Sequence, residues 1–222
     1  MLEHLEYQTD DHPQHCIIWL HGLGADGHDF APIARELALS VSVRFIFPHA
    51  PQMPVTLNGG YIMRAWYDIY SLTRGGPQDE SGIRRSQAEI EVLIEQQISL
   101  GIPAAHIMLA GFSQGGAIAL QTALRYPQKL AGVMALSTYL PVSATLDAEK
   151  SEANMSIPIF MAHGSFDGVI PLDTGNASSL ALQKRGYNVQ WHEYPMAHSV
   201  CSDEIDDIRQ FITQVFGHNA LG

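Results

Sequence analysis

The chain is short of basic residues, cysteine and long apolar runs, and each shortage removes a class of function. Only 12 Lys and Arg stand against 23 Asp and Glu, for a net charge of -11. Phosphate backbones are held by clustered cations, and nothing here gathers more than Arg84-Arg85, so nucleic acid is not an expected partner. No apolar stretch approaches the ~20 residues that span a bilayer, so an integral membrane protein is not expected either. The opening MLEHLEYQTDD lacks the basic-then-apolar order of a secretory leader. The two cysteines, Cys16 and Cys201, are far apart and form no C-x-x-C or finger spacing. A reducing, cytoplasmic setting is therefore expected. No internal repeat and no low-complexity segment interrupts the 222 residues, a length that suits one substantial core. The expectation is a single domain over 1–222.

What remains is an alternation. Short apolar runs at 3–9, 15–21, 43–47, 106–112, 132–137, 157–164 and 188–194 read as strands. Several are continuously apolar, as strands covered on both faces of a parallel sheet are. Amphipathic stretches at 29–39, 83–100, 114–126, 174–185 and 203–216 read as helices. Gly101-Ile102-Pro103 supplies a helix exit after the second. This pattern predicts an α/β domain with a mostly parallel, twisted sheet and helices on both faces. The stretch 48–77 has no clear period, is rich in Pro, Gly and aromatics, and exceeds an ordinary connector. It is the expected cover over a substrate.

The sharpest local signal is Gly111-Phe112-Ser113-Gln114-Gly115 between a strand and a helix. G-x-S-x-G in that setting forces a serine into strained backbone angles and lifts its hydroxyl above the sheet, at a helix N-terminus. A bare serine is a poor nucleophile and needs a base, itself oriented by an acid. In this arrangement the acid and then the histidine follow the serine on later strand ends. Asp167, in HGSFDGVIP, and His198, in YPMAHSV, satisfy that order. His163, at a strand end, reads as structural, and Asp173 reads as the N-cap of helix 174–185.

His21 to Gly27, HGLGADG, contains G-x-G-x-x-G directly after a strand. A dinucleotide loop would also place an acidic residue about twenty positions on, where Pro48 and His49 stand instead. No cofactor is expected. The glycines suit an oxyanion hole, with the backbone N–H groups of Leu23 and Gln114 as donors. Metal catalysis is not expected either: His192-Glu193 fails H-E-x-x-H because position 196 is methionine and Pro195 breaks a helix.

These segments together resemble the phospholipase/carboxylesterase family, which includes small carboxylesterases and acyl-protein thioesterases on the α/β-hydrolase fold. The matching stretches are LHGLGADGHDF, FPHAPQMPVTLNGGYIMRAWYDI, GFSQGGAIAL, ALSTYLP, HGSFDGVIP and MAHS. The resemblance implies no large cap domain. It implies a serine hydrolase of acyl esters or thioesters, with Ser113 as nucleophile, His198 as base, Asp167 as its partner, and Leu23 and Gln114 as oxyanion donors. Acylated proteins, lysophospholipids and small esters all stand open as substrates. An acyl groove is implied along 53–72, for which Met63, Trp66, Leu72, Tyr139 and Leu140 are the candidate contacts. Three positions depart from the family pattern: Ala197 beside the base, Thr138 in LSTYLP, and Gly168 after the acid. A catalytically silent ligand-binding protein on the same fold is the rival reading, and a homodimer through the 53–72 loop stays open.

Overall fold

The computed structural model describes residues 2–71 and 75–219. Its elements run β1 (His4–Gln8), β2 (His15–Leu20), α1 (Ala31–Glu36), β3 (Val43–Pro48), β4 (Gln52–Val55), β5 (Tyr61–Arg64), α2 (Glu80–Ser99) and β6 (Ile107–Phe112). The order continues through α3 (Gln114–Ala123), β7 (Gly132–Leu136), α4 (Leu146–Glu149), β8 (Pro158–Gly164), α5 (Leu172–Lys184), β9 (Asn188–Tyr194) and α6 (Ser202–Asn219). Seven strands form one sheet in the order β1-β3-β2-β6-β7-β8-β9, parallel throughout except for β1, which runs antiparallel along β3.

Alternation along each central strand divides the core. Cys16, Ile18 and Leu20 of β2 face the layer that α2, α3 and α5 cover, with Ile90, Leu93 and Ile94 among the side chains packed there. Ile17 and Trp19 point the other way, into the layer that α1 and α6 close with Ala34, Ile208 and Ile212. Both faces of β2 and β6 are therefore apolar, which is why these runs lack a polar alternation. Each such Leu or Ile adds ~1.5–3 kcal/mol when taken fully out of water. No helix among the described residues is long and apolar enough to cross a membrane.

The stretch 48–77 is more ordered than its composition predicts. β4 and β5 pair as an antiparallel hairpin, Gln52 opposite Arg64 and Val55 opposite Tyr61. Its turn carries Gly59 and Gly60 at φ 67° and 78°, a left-handed pair that only glycine adopts without strain. The helices shift too. α2 starts earlier than expected because Asp79 caps it, accepting the Gly82 N–H at 3.0 Å. α5 starts at Leu172 with Pro171 in the cap position, so Asp173 sits within the first turn and is not the N-cap. α1 is shorter, ended by Ala38 at φ 43°. The short helix α4 had no sequence counterpart.

One buried group opposes this packing. Glu204, in the first turn of α6, is fully buried, and neither carboxyl oxygen has a hydrogen-bond partner among the described residues. Burial pushes its pKa up to about 8, and the nearby Cys201 amide offsets only part of that. The folded state thus holds this proton more tightly than the unfolded chain does. Stability is complete below the ordinary carboxylate range and is lost as pH rises through about 8. Glu204→Gln should therefore raise the melting temperature by several degrees more at pH ~8.5 than at pH ~5.5, read by thermal unfolding at both values. An equal shift at the two pH values would place the ionisation elsewhere.

Candidate active site

The turn from β6 into α3 puts Ser113 at φ 55°, ψ -121°. Its N–H donates to Leu136 O at 2.9 Å, and its carbonyl accepts from the Thr138 hydroxyl at 2.6 Å and from the Ala117 N–H at 3.1 Å. The turn is passable only because its flanks have no side chains. A Cβ on Gly111 would lie 2.3 Å from the Gly115 carbonyl carbon, and one on Gly115 would lie 2.4 Å from Leu20 O. Thr138, a departure from the family pattern, thus clamps the elbow.

Ser113 Oγ lies 2.9 Å from His198 Nε2, and His198 Nδ1 lies 2.7 Å from Asp167 Oδ2. With Nδ1–H donating to the carboxylate, Nε2 is left to accept from the serine hydroxyl. His198 follows β9, and Asp167 follows β8. Parallel neighbours end on the same edge, so the two loops arrive together. Asp167 Oδ1 accepts the N–H groups of Val169 and Ile170 at 2.8 and 2.9 Å, which aims Oδ2 at the imidazole. His163 Nε2 donates to Ile170 O at 2.8 Å and lies 3.4 Å from Asp167 Oδ2, so it shapes the acid's loop from below. The three expected side chains are brought together across 85 residues of sequence.

The loop after β2 lies against them. A Cβ on Gly22 would sit 3.5 Å from Ser113 Cβ. Among the described residues neither the Leu23 N–H nor the Gln114 N–H donates to an acceptor, leaving two free amides beside the hydroxyl. Sequence reasoning missed how this loop is held. Burial pushes the His21 pKa down to about 4, so its ring is neutral. Nδ1–H then donates to Gly22 O at 2.7 Å, while Nε2 accepts the Ala50 N–H at 3.0 Å. Trp66 Nε1 donates to His21 O at 2.8 Å, and Gly24 N–H donates to Arg64 O at 2.9 Å. The Gln114 side chain accepts from Trp66 N–H at 2.8 Å and donates to Tyr67 O at 2.7 Å. Hairpin, glycine loop and elbow are one hydrogen-bonded frame.

A cavity of about 260 Å³ opens above Ser113, Gln114 and His198. Of the candidate acyl contacts, Tyr139 lines it. Trp66 does not: it is buried beneath the loop and acts as a hydrogen-bonding support. Met63 packs towards Gly24, outside the lining. Leu140 faces a neighbouring cavity of about 310 Å³. Leu72 lies outside the described residues. Leu57, Tyr67 and Ile69, within the 53–72 stretch expected to form the groove, also line the space, as do Val169 and Ile170. Among the described residues no group of three or more His, Cys, Asp or Glu could hold a metal ion.

Comparison with known proteins places this geometry in context. The profile of the family described as Phospholipase/Carboxylesterase matches residues 6–216. The acyl-protein thioesterase 1 of Neurospora crassa is 42% identical over 209 residues, covering 89% of this chain and 85% of that one. The protein of the same name from Cryptococcus neoformans var. neoformans is 36% identical over 231 residues, covering 96% and 97%. Among solved structures, Arabidopsis thaliana SOBER1 superposes with a TM-score of 0.87 at 31% identity, covering 91% of this chain and 99% of that one. Zea mays acyl-protein thioesterase 2 superposes at 0.86 with 28% identity, covering 97% and 99%.

The clearances at the elbow give a direct test. Gly115→Ala would drive a methyl into the Leu20 and His21 carbonyls, whereas Gly168, beside Asp167, has nothing within 4 Å of an added Cβ. Gly115→Ala should lower stability by about 1–3 kcal/mol or more, seen as a large fall in melting temperature. Gly168→Ala should leave that temperature within a degree or so.

Proposed function

The chain belongs to the phospholipase/carboxylesterase family, and from that premise we propose that it cleaves acyl esters or thioesters through an acyl-enzyme on Ser113. It is a serine hydrolase of the esterase and thioesterase kind. The finer reading is carried by the relay of 2.9 Å from Ser113 to His198 and 2.7 Å from His198 to Asp167.

In this mechanism His198 Nε2 takes the Ser113 proton as Oγ attacks the acyl carbonyl carbon. The carbonyl electron pair moves onto oxygen, where the Leu23 and Gln114 amides receive it. Both amides lack an acceptor before the reaction and belong to residues lining the same cavity as Ser113, so neither has a hydrogen bond to break when charge develops. Collapse breaks the bond to the alcohol or thiol, which leaves with the proton from His198. Water then attacks the acyl-enzyme by the same route and releases the acid. Asp167 stays ionised throughout, holding the imidazole in its Nδ1–H form.

The apolar lining of the cavity suits a hydrocarbon acyl group. Similarity to the acyl-protein thioesterases of Neurospora and Cryptococcus extends the proposal to acyl groups carried on proteins. A silent binding protein on this fold would have no need of an aligned hydroxyl, imidazole and carboxylate with two idle amides beside them.

Wild-type protein should be labelled at Ser113 by a fluorophosphonate and should hydrolyse 4-nitrophenyl esters with a burst. Ser113→Ala should abolish labelling and lower turnover on the order of 10⁶-fold. Asp167→Asn should lower kcat by about 10⁴-fold, because the imidazole then favours the wrong tautomer. Labelling at another residue, or near-normal turnover in Ser113→Ala, defeats the assignment.

A further inference from the structure

The cavity at Ser113 ends at a wall of three side chains, Tyr139, Val169 and Ile170. The same three bound the second cavity of about 310 Å³, which lies against α5 and is lined in part by Leu140, Pro171 and Ala177. The two spaces abut and are divided by these residues.

The wall is tied to the catalytic frame. Val169 and Ile170 give their N–H groups to Asp167, and Ile170 O accepts from His163. Tyr139 is pinned by a hydroxyl–hydroxyl bond of 2.7 Å to Tyr67. Tyr67 is buried and its carbonyl is held by the Gln114 side chain. Among the described residues neither phenol has a second hydroxyl partner. Burial pushes both phenols above their ordinary range, so both keep their protons at neutral pH. Swinging Tyr139 aside would leave two poorly solvated hydroxyls without partners, which is the costly outcome for a buried polar pair.

We propose that Tyr139, pinned by Tyr67, is the acyl-length selector of this enzyme, closing the Ser113 cavity against the second one so that short and medium acyl groups are preferred. The proposal rests on Ser113 being the acylated residue. The first cavity, of about 260 Å³, is bounded on that side by Tyr139, which limits the buried length open to an acyl chain. A longer chain that stays buried would continue into the second cavity, and Tyr139 stands between the two. The relatives' names do not bear on this limit. It comes from a hydrogen bond between two side chains of this chain.

The test is kcat/KM across 4-nitrophenyl acetate, butyrate, octanoate, dodecanoate and hexadecanoate, kept below their aggregation limits, for the wild type, Tyr139→Ala, Tyr139→Phe, Tyr67→Phe and the double Phe variant. Wild type should peak at or below octanoate and fall about tenfold or more by dodecanoate. Tyr139→Ala should raise the dodecanoate-to-butyrate ratio by about tenfold. Each Phe variant should raise it by about threefold, and the double variant by no more than either single, since all remove one bond. Should Tyr139→Ala fail to fold, the Phe variants carry the test, because they keep both rings.

The proposal is overturned if wild type handles hexadecanoate as well as octanoate. It is equally overturned if the ratio stays within about twofold of wild type in every folded variant. Absence of fluorophosphonate labelling and of turnover on every ester would instead strike the Ser113 reading.

Discussion

A serine in the left-handed region of backbone space is the constraint around which the site is arranged. Ser113 at φ 55° and ψ -121° is strained by about 1–3 kcal/mol, and such a conformation persists only where the surroundings over-determine it. Here they do so from three sides. Leu136 O holds the amide, Thr138 Oγ1 and the Ala117 N–H hold the carbonyl, and the missing side chains of Gly111 and Gly115 let β6, α3 and the end of β2 close to backbone contact. The same closeness presents the hydroxyl to His198 and leaves the first amide of α3 unpaired. The strained serine, its contact with His198 and the unpaired Gln114 amide have one geometric origin.

The glycine loop after β2 is built differently, by polar groups that would be liabilities if left alone. His21, Trp66 and Gln114 are all buried, and burying such groups without partners is unfavourable. Each satisfies backbone atoms of a segment that has no regular structure of its own: Gly22 O and Ala50 N for His21, His21 O for Trp66, and Trp66 N with Tyr67 O for Gln114. The Leu23 amide has no acceptor among the described residues, and the loop is held through its other atoms.

Much of this was legible in the residues, and the division is physical. G-x-S-x-G is readable because steric exclusion at Gly111 and Gly115 leaves a fixed-spacing trace in the sequence. The order serine, acid, histidine is readable because parallel strands end at one edge. The supports of His21 leave no such trace, since their partners are backbone atoms that any residue carries. Trp66, Met63 and Leu140 were expected to touch the acyl group and do not line the cavity, because groove and core draw on the same apolar residue types. The β4–β5 hairpin was hidden by the brevity of its strands, although Asn58-Gly59-Gly60 is a turn signal that marks it. Asp173 had a capping residue's chemistry, but Pro171 begins the helix two residues sooner.

Two imidazoles, His198 and His21, sit in different settings. In the proposed mechanism His198 passes a proton between serine and leaving group, and it stands where Ser113 Oγ can reach one nitrogen and Asp167 the other. His21 must not change protonation at all. Its Nε2 accepts an N–H, and a proton there would set two donors against each other at Ala50. Burial settles this by holding its pKa near 4, below the ordinary value, so the fold selects the neutral ring. The stabilisation from that choice is present above the ordinary imidazole range and is lost as pH falls towards about 4. The glycine loop after β2 thereby keeps one set of His21 hydrogen bonds across the neutral range. Burial depth separates the imidazole that supports the loop, His21, from the more accessible one set between Ser113 and Asp167.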